Sequence, residues 1–230
     1  MSPAAAVGIG FDIDHTIAID NKLERVAFLR LLDAIVDDGG RTSPNLNDEI
    51  ARIDELLVEQ RGGAFSIEEA VRRFVLERGV APDERYVERY RTMAVEMVGK
   101  FVIPLPGARE TFAALRAGGV AVAVLSNGWN PLQTHKARHA GFDGTVLASA
   151  DLGVQKPDRG AFEALVDVLG TPPERTWYVG DDPRLDVEGA RAAGLQTVWL
   201  DAERRPYPPD APAPALTIAA LEEIVACLVR

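Results

Sequence analysis

The segment Val7–Ile17, with the sequence Val-Gly-Ile-Gly-Phe-Asp-Ile-Asp-His-Thr-Ile, constrains the fold of this chain more than any other segment. Its first five residues are typical of a strand buried on both faces of a parallel sheet, and two carboxylates follow. Asp12 and Asp14 are two residues apart, so they point to the same side of an extended chain. Ligands of open α/β sheets bind beyond the carboxyl ends of the strands. The segment therefore predicts a parallel sheet with a ligand site at this strand end.

The paired acids also indicate what that ligand is. Hard carboxylate oxygens suit Mg²⁺, and a divalent cation relieves the repulsion between two neighbouring acids. Asp12 and Asp14 are therefore candidate residues for binding Mg²⁺ together with a phosphate group. A simpler interpretation is that Asp14 or Thr16 caps the helix after the strand. This segment alone leaves both interpretations open.

Composition excludes several classes of protein. The chain has 230 residues, 47% of them hydrophobic, which is enough to bury a full core. A formal net charge of −10 disfavours a nucleic-acid partner, because such binding depends on Lys and Arg. The single cysteine, Cys227, cannot form an intrachain disulfide. Because neither a secretion signal nor an apolar run of about 18 residues is evident, we expect a cytoplasmic protein with no membrane partner.

The hydrophobic pattern divides the chain into two regions. Residues from about 21 to 100 show helical periodicity without a strand, and we predict helices at Leu23–Asp37, Leu46–Gln60, Ile67–Arg78 and Glu84–Val98. After Pro104, predicted strands and helices alternate. The strands are Val120–Leu125, Thr145–Ala148, Thr176–Val179 and Thr197–Leu200, and the helices are Gly107–Ala117, Pro131–Ala140, Arg159–Leu169 and Leu185–Ala193. Alternation predicts a parallel sheet covered by helices, with the helical region inserted after its first strand.

Polar residues suited to phosphate chemistry follow the other predicted strands. After the second strand come a hydroxyl, an amide and a glycine, namely Ser126, Asn127 and Gly128. Lys156 precedes a helix, where its ammonium could hold a phosphate oxygen. Three further acids follow Val179, namely Asp181, Asp182 and Asp186. Each residue alone fits a turn, a solvated lysine or a helix cap, but their joint order favours one phosphate site.

These residues form four motifs, which are Asp12-Ile-Asp14-His-Thr16, Ser126-Asn127, Lys156-Pro157 and Gly180-Asp181-Asp182-x-x-x-Asp186. The motifs resemble those of the haloacid dehalogenase-like hydrolase superfamily, of the phosphatase type with a helical cap inserted after the first motif. The resemblance covers roughly residues 7–17 and 104–202. It implies an α/β fold with a Rossmann-like parallel sheet core flanked by helices, residues 1–17 and 104–230. It also implies an inserted all-helical cap domain, residues 18–103.

The resemblance further implies a Mg²⁺-dependent phosphatase that acts on a small phosphorylated metabolite, as a monomer or homodimer. Asp12 would form an aspartyl-phosphate, and Asp14 would be the general acid and base. Mg²⁺ would bind the side chains of Asp12 and Asp181 and the backbone carbonyl of Asp14, with Asp182 and Asp186 supporting this metal shell. Phosphate would be held by Thr16, Ser126, Asn127, Gly128 and Lys156, with Lys156 also stabilising the transferred group.

Several alternatives remain at this point. Dehalogenases of the family lack an acid at the position of Asp14, because a halide leaves without a proton, so dehalogenation is disfavoured. A phosphosugar mutase would keep that acid. A non-catalytic, phosphate-responsive regulatory protein would be expected to lack Asp12, Asp14 or Lys156. A phosphoacceptor signalling domain is short and carries its acceptor on a strand in the middle of the chain. Asp12 instead follows the first strand of the chain, and a long helical insert comes after it.

The three histidines receive no catalytic role. His15 stands where many relatives of the family have a small residue, and we expect it to face solvent in a loop. His135 and His139 are four residues apart on a predicted helix, a spacing that can bind metal. Because no acidic partner or third ligand is evident, we expect both to lie on the helix surface.

Overall fold

The computed structural model describes residues 7–228. The interpretation that excludes a secretion signal depends on residues 1–6, which lie outside the described part, as do residues 229–230 of the predicted core domain. The chain divides into two compact units, one comprising the residues up to Asp20 and from Ile103 onward, the other Asn21–Val102. The sequence predicted these boundaries after residue 17 and after residue 103. The assignment of the inserted unit as a cap stays a prediction.

The first unit is built on a parallel sheet. The strands of the chain are β1 Gly8–Phe11, β2 Ala18–Asp20, β3 Val102–Pro104, β4 Ala121–Ser126, β5 Val146–Ala148, β6 Thr176–Gly180, β7 Gln196–Leu200 and β8 Leu216–Ile218. Six of them form one sheet in the order β5-β4-β1-β6-β7-β8, and every neighbouring pair is parallel. The predicted fold class is confirmed. The strands β2, β3 and β8 have three residues each and were not predicted, because pairing with distant segments makes them strands and no local pattern does.

Strand β1 occupies the centre of the sheet, and its register fixes the position of the site. Phe11 is paired with Val124 of β4 on one side and with Val179 of β6 on the other. The backbone N–H of Asp12 continues the ladder and donates to the carbonyl of Val179 at 2.9 Å. The carboxyl ends of these three strands are therefore level, and the residues that follow them meet at one edge.

The second unit is helical, as predicted. Its helices are α1 Leu23–Asp37, α2 Leu46–Arg61, α3 Ile67–Leu76, α4 Glu84–Glu96 and the short α5 Val98–Phe101. The side chain of Ser66 accepts a hydrogen bond from the backbone N–H of Glu69, which caps α3 at its start. Phe28 packs between Phe74 and Tyr90, with ring centroids 5.1 and 4.7 Å away. Aromatic packing among the helices therefore contributes to the core of this unit, together with buried aliphatic residues.

The helices of the first unit are α6 Ala108–Ala117, α7 Leu132–His139, α8 Ser149–Leu152, α9 Arg159–Leu169, α10 Gly189–Ala192 and α11 Glu223–Leu228. The predicted helix Leu185–Ala193 differs in form, since a π turn, Pro183–Glu188, precedes the short α10. The apolar face of α9 packs on the sheet, where Phe162 meets Tyr178 edge to face at 5.1 Å. Within residues 7–228, no helix combines the length and apolar character needed to cross a bilayer.

Gly10 shows how closely α9 approaches the sheet. A Cβ atom on Gly10 would lie 2.4 Å from Cδ2 of Leu165 on α9 and 2.9 Å from Cδ2 of Tyr178 on β6. Both side chains are buried, with 0% and 1% exposure, so neither has free space to move into. The absence of a side chain at Gly10 is therefore a packing requirement.

We predict that Gly10→Ala lowers the free energy of unfolding by roughly 1–3 kcal/mol, because the methyl group overpacks the core. Gly160→Ala on α9 is the matched control, since the nearest atom to its Cβ would be 3.6 Å away. The control should change stability by less than about 1 kcal/mol, towards higher stability. Urea unfolding followed by circular dichroism measures both, and equal effects of the two variants would contradict the packing argument.

Candidate active site

Three carboxylates lie together beyond the carboxyl ends of β1 and β6. Asp12 follows β1, Asp181 follows β6, and Asp186 lies in the π turn. Each offers a carboxylate oxygen, and these oxygens all lie within 4.8 Å of one another. Asp12 and Asp186 are 7% and 1% exposed. The sheet topology therefore brings together acids that are far apart in the sequence.

Two features hold Asp186 in this cluster. A Cβ atom on Gly180 would lie 2.2 Å from Oδ2 of Asp186, so only glycine allows this approach. The backbone N–H of Asp182 donates to the same oxygen at 3.0 Å. The side chain of Asp182 accepts from the backbone N–H groups of Arg184 and Leu185, at 2.7 and 2.9 Å. Asp182 thus supports Asp186 through its backbone and caps the π turn with its side chain.

Lys156 is the cation of the cluster and is itself 3% exposed. Its Nζ lies 2.7 Å from Oδ1 of Asp12 and 2.6 Å from Oδ1 of Asp186. A third hydrogen bond runs from Nζ to the hydroxyl of Tyr178, at 3.0 Å. That hydroxyl donates to the carbonyl of Leu125 at 2.7 Å. All three protons of the ammonium are therefore engaged, which fixes it beside the carboxylate of Asp12.

Asn127 holds the backbone of Lys156 from both sides. Its Nδ2 donates to the Lys156 carbonyl at 2.9 Å, and its Oδ1 accepts from the Lys156 N–H at 2.8 Å. A direct phosphate contact by Asn127 stays a prediction, while its contacts explain how the lysine is placed. Tyr178 was not singled out from the sequence, because a tyrosine inside a buried strand gives no signal that distinguishes a hydrogen-bonding role from packing.

Ser126 and Gly128 lie where the sequence predicted them, at the end of β4. Ser126 is 1% exposed. Gly128 has a φ of +151° and its Cβ would lie 2.1 Å from Nε2 of Gln133, so a side chain is excluded there. The N–H of Gly128 donates to Oγ of Ser149 at 3.0 Å. Phosphate binding by Ser126 and Gly128 therefore stays a prediction, and in this structure the amide of Gly128 serves the loop itself.

Asp14 and Thr16 lie in a tight turn after β1. The side chain of Asp14 is 39% exposed, unlike that of the buried Asp12. Thr16 is 0% exposed, and within residues 7–228 its hydroxyl has no hydrogen-bond partner. His15 between them is exposed and has a φ of 60°. The expectation that His15 faces solvent is confirmed.

A second buried lysine lies beside Asp14 and was missed from the sequence. Lys136 on α7 is 2% exposed, and its Nζ lies 3.2 Å from Oδ1 of Asp14 and 2.6 Å from Oδ2 of Asp20. One signal was available, because Lys136 is four residues after the apolar Leu132 and so shares its buried helix face. His135 on this helix is exposed and His139 is half-buried. Neither belongs to the group of possible metal ligands found among the described residues.

Burial dominates the electrostatics of the acidic cluster. Burial raises the pKa of Asp12 from 3.8 to about 7, against the opposing effect of the Lys156 ammonium. Burial, reinforced by the charge of Asp12, raises the pKa of Asp181 to about 6. Burial also raises the pKa of Asp186, again opposed by Lys156. For Lys156, burial lowers the pKa, but the two acids outweigh it and keep the pKa well above its ordinary value.

The cluster fits a metal cation. Three carboxylates are hard oxygen ligands at suitable spacing. Burial raises the pKa values of Asp12 and Asp181, and a bound cation would favour the charged forms of both acids. Asp181 is held from outside by Arg205, whose Nη2 donates to Oδ2 at 3.1 Å. The structure therefore contains a group of acids able to hold a metal ion. Asp14, whose backbone carbonyl is a predicted metal ligand, is two residues after Asp12 in the sequence.

Comparison with known proteins identifies the family. The model of the haloacid dehalogenase-like hydrolases matches residues 8–194 of the chain. This match includes the complete acidic cluster and both buried lysines. The chain belongs to the haloacid dehalogenase-like hydrolase family, as the motifs in the sequence predicted.

Individual relatives within this family are phosphatases by name. A phosphoserine phosphatase of Thermus thermophilus is 39% identical over 122 residues, which are 52% of this chain and 49% of that protein. The chain thus matches about half the length of this relative. A glyceraldehyde 3-phosphate phosphatase of Methanothermobacter thermautotrophicus is 27% identical over 84% of both chains.

A solved structure extends the likeness in fold to nearly the whole chain. The 2-haloacid dehalogenase of Pseudomonas syringae superposes with a TM-score of 0.75 over 97% of this chain and 98% of its own. The sequences are 19% identical, so this likeness concerns the fold. The same fold therefore carries different chemistries, and the function must be argued from the residues of the site.

The raised pKa values predict a characteristic pH dependence of stability in metal-free protein. The folded state binds the Asp12 proton more tightly than the unfolded state, so stability should fall as pH rises from about 4 to about 7 and level off above that. Asp12→Asn removes this titration, and its stability should depend less on pH. Urea unfolding in the presence of chelator measures both proteins. A wild-type curve parallel to that of the variant across this range would show that Asp12 is not the titrating group.

Proposed function

We propose that this protein is a Mg²⁺-dependent phosphatase that hydrolyses a small phosphorylated metabolite through an aspartyl-phosphate on Asp12. One observation carries the proposal. The carboxylate of Asp12 is buried at the centre of the sheet edge, 2.7 Å from the ammonium of Lys156 and within reach of Asp181 and Asp186. A carboxylate held in this way beside positive charge is suited to attack a phosphoryl group, whose own negative charge would otherwise repel it.

In the first half of the reaction, a carboxylate oxygen of Asp12 attacks phosphorus. The P–O bond to the leaving group breaks, and the carboxyl of Asp14 gives its proton to the departing alkoxide. Lys156 stabilises the charge on the transferred group, which is the usual contribution of a lysine in phosphoryl transfer. The product alcohol leaves, and the phosphoryl group remains on Asp12.

In the second half, Asp14 acts as a base. It takes a proton from water, the water oxygen attacks phosphorus, and the bond between phosphorus and Asp12 breaks. Inorganic phosphate is released, and the proton that Asp14 gains restores it for the next cycle. Asp14 is suited to both steps because its side chain is 39% exposed, so water and a leaving group can reach it.

Asp12 and Asp181 would hold Mg²⁺ through their side chains and Asp14 through its backbone carbonyl, with Asp182 and Asp186 in support. When bound, the cation supplies positive charge that neutralises the phosphoryl oxygens and the clustered acids. Thr16, Ser126, Asn127 and Gly128 would complete the phosphate site. The acid cluster supports the metal assignments, and the motifs shared with the family support the phosphate assignments.

The substrate class follows from the relatives and from Asp14. The relatives named above act on phosphoserine and glyceraldehyde 3-phosphate, both small phosphate monoesters. Their alkoxide leaving groups need a proton, which Asp14 can supply, whereas a halide does not. The proposal therefore favours phosphate esters over organohalides. Release of inorganic phosphate distinguishes a phosphatase from a phosphosugar mutase, and turnover itself distinguishes an enzyme from a regulatory protein.

We predict that Asp12→Asn lowers kcat by about 10⁴-fold or more, since the amide keeps the shape of the side chain but is no nucleophile. Phosphate release from a panel containing phosphoserine, glyceraldehyde 3-phosphate and sugar phosphates measures this, with Mg²⁺ and with chelator. Asp167→Asn is the matched control, because this carboxylate is exposed on α9, and its activity should equal that of the wild type. Residual Mg²⁺-dependent turnover near the wild-type rate in Asp12→Asn would refute the mechanism.

Asp14→Asn should slow both half-reactions, by about 10²- to 10⁴-fold in kcat with alkyl phosphates. With p-nitrophenyl phosphate the leaving group needs no proton, so the first half should stay fast and the second should be slow. We therefore expect a burst of p-nitrophenol equal to the enzyme concentration, followed by slow turnover, in a stopped-flow experiment. An increased rate with alkyl phosphates would contradict the role of Asp14 as acid.

A further inference from the structure

Lys136 is a buried lysine beside the site that the reaction scheme above does not use. It lies on the inner face of α7, 2% exposed, and its ammonium binds Asp14 at 3.2 Å and Asp20 at 2.6 Å. The neighbouring buried residues of this helix include the apolar Leu132 and Ala137. A lysine in such a face places a full charge in a layer that packing alone would fill with an apolar side chain.

Stability does not explain this lysine. Removing an ammonium from water costs free energy, and buried ion pairs can often be replaced by apolar residues of similar volume without loss of stability. A buried charge that binds a carboxylate of the proposed reaction is more simply explained by what it does to that carboxylate.

The backbone of Asp14 is fixed, whereas its side chain needs an additional support. Three N–H groups, those of Thr16, Ile17 and Ala18, donate to the carbonyl of Ile13, and the N–H of His15 donates to the carbonyl of Ala18. This turn sets the position of the Asp14 backbone. Its side chain is 39% exposed and would sample several rotamers in water, but Lys136 binds its Oδ1.

We propose that Lys136 is a positioning residue, which orients the carboxyl group of Asp14 for proton transfer to the leaving group and from the attacking water. This inference rests on the proposed function. Oδ1 of Asp14 accepts a hydrogen bond from the ammonium, which restricts the rotamers of the Asp14 side chain. In the proposed scheme Lys136 does not touch the substrate. Misplacing a reacting group by about 1 Å can cost about 10²-fold in rate, so this orientation has a measurable effect.

Asp20 is the anchor of Lys136 in this arrangement. The ammonium lies closer to Asp20 than to Asp14, at 2.6 against 3.2 Å, and the Asp20 side chain is 13% exposed against 39%. The less exposed acid holds the lysine, and the lysine in turn holds the acid that faces the reaction. Lys156 has the corresponding relation to Asp12, so each of the two acids of the first motif has its own buried lysine.

The experiment compares Lys136→Met with the wild type on an alkyl phosphate and on p-nitrophenyl phosphate. With the alkyl phosphate, kcat should fall by about 10- to 100-fold while KM changes little, because Lys136 acts through Asp14 and does not touch the substrate. With p-nitrophenyl phosphate, the variant should show a burst followed by slow turnover, as expected of Asp14→Asn. Lys136→Arg should restore part of the loss, since it keeps a positive charge.

Two further variants make the result specific. Arg138→Met removes a positive charge from the exposed side of the same helix, and its rates should equal those of the wild type. In an Asp14→Asn background, Lys136→Met should add little further loss, since residues that act as a unit are not additive. Should Lys136→Met fail to fold in a thermal melt, Asp20→Asn provides the same test, with a smaller loss in the same direction.

The outcomes separate this inference from the proposed function. A slow first half-reaction with p-nitrophenyl phosphate, seen as the loss of the burst, would overturn the positioning role while leaving the phosphatase intact. A raised KM with unchanged kcat, or full additivity with Asp14→Asn, would do the same. A wild-type protein that releases no phosphate from any ester would overturn both. Wild-type turnover lost in Asp12→Asn, together with the leaving-group dependence and non-additivity described above, would support both.

Discussion

The rest of the site depends on the buried ion cluster in which Lys156 binds Asp12 and Asp186. Both acids and the lysine are less than one tenth exposed, with Nζ–O distances of 2.7 and 2.6 Å. Such a cluster is costly to bury unless each hydrogen-bonding group is satisfied. The protein achieves this with the hydroxyl of Tyr178 on the ammonium and with the amide of Asn127 on the lysine backbone. Lys156 thus fixes the position of the carboxylate of Asp12, the proposed nucleophile, and also offsets part of its negative charge.

The fold supplies this cluster through the parallel arrangement of β4, β1 and β6. Their ends are level, so residues separated by well over a hundred positions meet at one edge of the sheet. Two glycines allow close contacts around the cluster. Gly10 lets α9 pack against β1, and Gly180 lets the carboxylate of Asp186 approach the end of β6. Packing and chemistry are therefore coupled, because the helix that presses on β1 also starts directly after the segment that carries Lys156.

The sequence predicted the parallel sheet and the helical insert, because hydrophobic periodicity encodes both locally. It also predicted the meeting of Asp12 with Asp181 and Lys156, because each follows a predicted strand or precedes a predicted helix. It did not predict Lys136, Asp20 or Tyr178, whose roles arise from contacts between distant segments. Lys136 appears as an ordinary charged helix residue until the packing of α7 shows that it is buried. The short β8 and the π turn were missed because tertiary packing decides them, and the function of the insert stays a prediction.

The most direct test of the central claim is to locate the phosphoryl group during turnover. Asp14→Asn, mixed with p-nitrophenyl phosphate and Mg²⁺ and quenched in acid, can be digested and analysed by mass spectrometry. We expect one phosphoryl group per chain, on the peptide that contains Asp12, and none when Asp12 is also replaced by Asn. A phosphoryl group on another residue, or burst kinetics without any covalent phosphoryl group, would contradict the central claim.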